Sequence, residues 1–125
     1  MPYVAYSHVF PYAEVIVHQG GSGTTGEALR AGRPMLIVPY GWDQPDNAAR
    51  IERLGAGRHI SRRNYTVESA VASLRSILDQ AQLSTRAAEL GRRVSAENGL
   101  NGACDAVESL IQRVELRHVA RDSAR

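Results

Sequence analysis

The segment His18-Gln19-Gly20-Gly21-Ser22-Gly23-Thr24-Thr25-Gly26-Glu27 has the composition of an anion-binding turn. Glycines let a ligand approach the backbone closely, and Ser and Thr add hydroxyl donors. The apolar run Ala13-Glu14-Val15-Ile16-Val17 before it reads as a strand. Ala28-Leu29-Arg30-Ala31-Gly32 after it reads as a helix with its glycine stop. Strand, glycine-rich turn and helix in that order aim unpaired backbone N–H groups at an anion, and a phosphate is the expected ligand. The turn is not a Walker A loop, which ends in Gly-Lys-Ser/Thr, because the chain contains no lysine. Gly21-Ser22-Gly23-Thr24-Thr25-Gly26 does keep the G-x-G-x-x-G spacing of dinucleotide folds. The acidic residue expected about 20 residues later would be Asp43 or Asp46, beyond a second strand. A turn that only packs a helix on a strand would have the same composition.

A second unit follows. Met35-Leu36-Ile37-Val38-Pro39 is an apolar run with the length of a buried parallel strand. Tyr40-Gly41-Trp42-Asp43-Gln44-Pro45-Asp46-Asn47 reads as a polar loop at its end, and Ala48 to Gly55 as a helix closed by glycine. Two consecutive βα units place both polar loops on one edge of a parallel sheet, where open α/β sheets bind ligands. The first loop suits phosphate. The second offers a carboxylate from Asp43 and amides from Gln44 and Asn47, which suit hydroxyl groups. Asn47 is read equally as a cap of the following helix. Phosphate beside hydroxyls suggests a nucleotide sugar.

At this point the chain resembles the donor-binding half of the two-domain GT-B glycosyltransferases, the group of UDP-glycosyltransferases and bacterial macrolide glycosyltransferases. The residues that carry the resemblance run from Val17 through Pro39, followed by Asp43-Gln44-Pro45-Asp46-Asn47-Ala48. The resemblance implies an α/β fold: a partial Rossmann-like parallel sheet with flanking helices. It also implies roles. A His directly before the paired glycines often contacts the donor diphosphate in these enzymes; here that position is Gln19, and His18 lies one residue earlier. The backbone amides around Gly21, Ser22, Gly23 and Thr24 are the other diphosphate candidates. Glu27 matches the position that holds the ribose hydroxyls. Asp43 and Gln44 match the acidic-Gln pair that holds the sugar, with Asn47 as an additional candidate.

The implied function is transfer of a hexose from a nucleoside-diphosphate sugar, UDP- or dTDP-linked, to a hydroxyl of a small acceptor such as a lipophilic natural product. The nucleotide sugar is a co-substrate, and no cofactor is expected. No metal site is expected either: His8, His18, His59 and His118 have no zinc-ligand spacing to each other or to Cys104. The general base is expected in an N-terminal acceptor domain that this sequence lacks. His8 is read as a loop residue near the nucleotide cleft. The whole chain, 1–125, is expected to be part of a C-terminal donor domain, with its motif region at 6–60 and a helical region at 66–119. A donor-binding subunit that docks on a separate acceptor-binding chain, or an inactive remnant, would read the same way, and a related nucleotide-sugar epimerase is a weaker fit.

Composition narrows the field further. The net charge of +2 rests entirely on arginine, and acidic residues are interspersed with the Arg clusters. Solvated helix faces explain this better than nucleic acid, which calls for a denser basic stripe with stacking aromatics. No apolar run approaches the ~18 residues of a membrane span. No secretory signal is recognised before the first strand, and the lone Cys104 cannot form an internal disulfide, so a cytoplasmic protein is expected. Cys104 is read as a buried, inert helix position. In the C-terminal half, Thr66 is expected to cap a helix running to Gln80, with Val71, Leu74, Ile77 and Leu78 as its apolar stripe. Further helices are expected over Ser84–Glu97 and about Asn101–Val119, the latter with Ala103, Ala106, Val107, Leu110, Ile111 and Val114 on one face. The tail from Arg121 to Arg125 is expected to fray.

Overall fold

The computed structural model describes residues 4–122, with side chains through residue 113. The chain divides between Ser95 and Ala96 into two compact units. The first begins with a one-turn helix α1 (Tyr6–Val9) and a 3-10 turn at Phe10–Tyr12. Then come β1 (Ile16–His18), α2 (Ser22–Ala31), β2 (Met35–Ile37), α3 (Gln44–Arg53) and β3 (Gly57–His59). After a 3-10 turn at Arg62–Asn64, α4 (Val67–Asp79) and α5 (Ala81–Ala96) follow. The strands form one parallel sheet in the order β1-β2-β3, with Ile16 beside Met35 and Met35 beside Gly57. The mixed α/β architecture expected from the sequence is therefore present.

The sheet is buried on both faces, as parallel sheets are. Met35 and Ile37 face one side, with Ile16, Ala28 of α2, Ala48 and Ile51 of α3, and Ala87 and Leu90 of α5. Leu36, between them in sequence, faces the other side with Ile60, Ile77 of α4 and Leu83. Met35, Leu36, Ile37 and Ile77 are fully buried, and each such side chain contributes about 1.5–3 kcal/mol. The α2 stop is Gly32, in left-handed backbone at φ 66°, and it packs directly against Gly91 of α5.

Several boundaries differ from the sequence reading. β3 has no apolar run to announce it. It forms because Gly57 lets its backbone lie against the Met35 carbonyl, where a Cβ would collide. α3 starts four residues earlier than Ala48, because Pro45 sits in its first turn where a missing N–H costs nothing. His8 lies in α1 and is exposed, rather than in a loop. In α4 the Thr66 cap is present, reciprocated by Ser69. Of its expected stripe only Leu74 and Ile77 turn inward, while Val71 and Leu78 stay exposed.

The second unit is α6 (Gly99–Asp122) with its leading residues. A single helix has no second layer to bury a face, so Val107, Leu110 and Ile111 are exposed. Cys104 is exposed too, which corrects the expectation that it is buried. The side chain of Val114 and the tail residues 123–125 lie outside what the structure describes. No helix among the described residues is long and apolar enough to cross a membrane.

Candidate functional site

Both βα connections emerge at the carboxyl edge of the sheet, and a set of hydrogen bonds joins them. β1 ends at His18, and Gly20 turns the chain in left-handed backbone at φ 92°. The Gly20 N–H donates to His18 Nδ1 at 3.0 Å. Nδ1 is then an acceptor, so the neutral ring carries its proton on Nε2. Nε2 is buried and has no partner among the described residues. Burial also holds the His18 pKa below its ordinary value of 6.5. The histidine thus shapes the turn as a neutral acceptor, with one nitrogen committed and the other enclosed.

α2 opens directly after the turn. Its N-cap, Gly21, offers no side-chain cap, and the helix's first backbone bond runs from Thr25 N–H to the Gly21 carbonyl at 2.9 Å. The N–H groups of Ser22, Gly23 and Thr24 precede that bond and have no intrahelical acceptor. Ser22 and Gly23 are exposed, and a Cβ built on Gly23 would meet only open space. Exposed Gln19 lies against Gly21, its Nε2 3.3 Å from where a Gly21 Cβ would sit. Glu27 is half-buried one turn further along α2.

The second connection is folded against the first. Asn47 Nδ2 donates to the Gly20 carbonyl at 2.9 Å and to Asp43 Oδ2 at 2.8 Å. Both of its protons are used. Gln44 Oε1 accepts from Tyr40 N–H at 2.8 Å and Gly41 N–H at 3.3 Å, which closes the loop on the start of α3. A Cβ at Gly20 would lie 2.8 Å from Ile37 Cγ2 and 3.2 Å from the Gln44 carbonyl, so the turn sits directly on this loop. Asn47 lies inside α3 and does not cap it; Asp43 holds the N-cap position. After these bonds, Asp43 Oδ1, Gln44 Nε2 and Asn47 Oδ1 remain without partners among the described residues. Two acceptors and one donor beside an anion-binding helix end suit a hydroxylated ligand with a phosphate.

Other groups on this rim were not singled out from the sequence. Trp42 has left-handed backbone at φ 56° and is 92% exposed. That conformation costs an L-residue about 1–2 kcal/mol. The Arg62 guanidinium lies over the Tyr40 ring at 4.7 Å. The only sequence signal was a tryptophan in an otherwise polar loop. An open cleft of about 870 Å³ lies elsewhere among the described residues, around Glu14, Arg30, Gly32, Arg33 and Arg92. It lies by the C-terminal end of α2, away from the carboxyl edge of the sheet where both connections emerge. The convergence of donors and acceptors, rather than cavity size, marks the candidate site. No group of three His, Cys, Asp or Glu side chains converges among the described residues.

The parallel sheet with its flanking helices is an α/β domain of the glycosyltransferase type. The chain belongs to the family described as erythromycin biosynthesis protein CIII-like, C-terminal domain, whose profile matches residues 1–107. This is the C-terminal domain of GT-B glycosyltransferases. The chain is similar to the O-mycaminosyltylonolide 6-deoxyallosyltransferase of Streptomyces fradiae, with 38% identity over 109 residues, covering 86% of this chain and 26% of that protein. Among solved structures it resembles the glycosyltransferase of kitacinnamycin (TM-score 0.77, 31% identity, 86% of this chain and 28% of the other). It also resembles the glycosyltransferase VinC in complex with dTDP (TM-score 0.71, 29% identity, 75% and 24%). The chain spans about a quarter of the length of these relatives.

Proposed function

We propose that this chain binds the donor of a hexosyl transfer, a dTDP- or UDP-linked sugar. The observation that carries the reading is the unpaired N-terminus of α2, fixed by Asn47 to a loop with free oxygen and amide groups. Diphosphate oxygens would accept from the Ser22, Gly23 and Thr24 N–H groups, with Gln19 reaching from the turn. Glu27 would hold the ribose, and Asp43, Gln44 and Asn47 the sugar hydroxyls. The relative in complex with dTDP supports a thymidine diphosphate, with uridine the alternative base. During transfer the acceptor oxygen bonds to the anomeric carbon, that carbon's bond to the phosphate oxygen breaks, and the nucleoside diphosphate leaves with the electron pair. Negative charge grows on the leaving phosphate, where N–H donors already in position stabilise it without reorganising.

The acceptor's proton needs a base. His18 is not a candidate, since its free nitrogen is enclosed. We assign the base and the acceptor pocket to an N-terminal domain, on the same or a partner polypeptide. On this reading residues 1–125 are part of the donor domain. The acceptor is a small lipophilic natural product, in line with the tylonolide-derived substrate named for the Streptomyces relative. A cytoplasmic site of action agrees with the exposed free Cys104. Calorimetric titration of the purified chain tests the reading. UDP or dTDP should bind, no sugar should reach an acceptor without the second domain, and failure of both nucleotides to bind a folded chain would refute it.

A further inference from the structure

Trp42 is the chain's single tryptophan, and it packs on almost nothing. Among the described residues it is the one non-glycine residue in left-handed backbone. The fold gains nothing from either feature: an exposed indole buries no area, and glycine would take this conformation without strain. Strained backbone persists where the surroundings hold a side chain in place for another purpose. Here the strain sets an indole directly before Asp43, whose Oδ1 is free because Oδ2 accepts from Asn47. Tyr40, the neighbouring aromatic, is 57% exposed with one ring face under Arg62, so Trp42 at 92% is the more open aromatic surface of this rim.

A pyranose chair has two kinds of surface. Its hydroxyl edge needs donors and acceptors, and Asp43 Oδ1, Gln44 Nε2 and Asn47 Oδ1 supply them. Its C–H face is apolar and finds no partner among those groups. An indole matches that face in size and polarity. We propose that Trp42 stacks on the pyranose ring of the donor and is a specificity-determining residue for the sugar. This assignment rests on the nucleotide-sugar reading above.

A single tryptophan is its own reporter. The 125-residue chain would be titrated with UDP, UDP-glucose, dTDP and dTDP-glucose, with indole emission and calorimetric binding followed in parallel. The sugar nucleotides are expected to shift the emission to shorter wavelength and to bind several-fold more tightly than the bare diphosphates. Trp42→Asn removes the ring with a residue that tolerates left-handed backbone. It should abolish that sugar-dependent gain, leave diphosphate affinity unchanged and leave the melting temperature equal or higher. Bare diphosphate and sugar nucleotide giving the same emission would overturn the assignment, as would a variant that keeps the gain. If calorimetry finds no nucleotide bound at all, the donor reading fails and takes this assignment with it. Diphosphate binding without a sugar response sinks Trp42 alone.

Discussion

Replacing Gly23 with valine separates the fold from the ligand. A Cβ at this position meets nothing within 4 Å, so the added side chain starts into open space in the free protein. Glycine is among the poorest helix formers and valine an intermediate one, so the change in helix propensity is about 0.5 kcal/mol or less, in the stabilising direction. The unfolding free energy should therefore stay within about 0.5 kcal/mol of the native chain. Binding should respond quite differently. The added methyl groups occupy the space through which a phosphate reaches the Ser22, Gly23 and Thr24 N–H groups. Loss of one charge-assisted hydrogen bond costs about 1.5–3 kcal/mol, which is roughly tenfold to 150-fold in dissociation constant. The assay is calorimetric titration with UDP and dTDP, paired with urea unfolding of the same preparation. A folded Gly23→Val chain with native nucleotide affinity would mean that the diphosphate does not sit on the start of α2.

Two further outcomes follow from the same hydrogen bonds. Asn47→Asp keeps the side-chain shape but removes both donors and sets a carboxylate against Asp43; urea unfolding should show a loss of about 2–3 kcal/mol, and a change under about 0.5 would show that the two connections are not locked through Asn47. His18 is held neutral, with its pKa below 6.5 in the folded chain, so the unfolded state takes up the proton first as pH falls. Stability from this residue should be complete above pH 6.5 and decline as pH drops through the lowered folded value. His18→Asn, which keeps an oxygen to accept from Gly20 N–H, should flatten that decline, and an unflattened profile would place the titration on another group.

The sequence carried the parts of this fold that hydrophobic pattern can encode. Met35 to Pro39 announced β2 because a strand buried on both faces needs a continuous apolar run. Thr66 announced the start of α4 because an N-cap needs a short side-chain acceptor. Gly57-Arg58-His59 announced nothing, since β3 owes its place to pairing with β2 and to the absence of a Cβ at Gly57. The candidate site was legible only as residue types at one sheet edge, while its internal wiring was not. Asn47 was read as either a sugar contact or a cap, yet the structure gives it a third task, bridging Gly20 and Asp43. Gln44 folds its carbonyl back onto Tyr40 and Gly41, leaving only its amide to a ligand. Which nitrogen of His18 accepts, and which dihedral Trp42 adopts, depend on three-dimensional closure of the turn, and no local pattern encodes them.

That wiring divides recognition between backbone and side chains. On the proposed reading the diphosphate meets main-chain N–H groups, which any residue compatible with the helix start can present. What the turn itself requires is a glycine at position 20, where φ is 92° and a Cβ would strike Ile37, and an acceptor at His18. On the same reading the sugar meets side-chain atoms of Asp43, Gln44 and Asn47, each tied to the scaffold by one end and free at the other, with the open indole of Trp42 beside them. Diphosphate binding should therefore survive conservative changes at Ser22 and Thr24, because their N–H groups remain. Sugar choice should move with changes at Trp42, Asp43 and Gln44, where the chemistry resides in the side chain. The geometry allows the second connection to vary with the sugar while the first stays constant, provided that Asn47 keeps its bond to the Gly20 carbonyl.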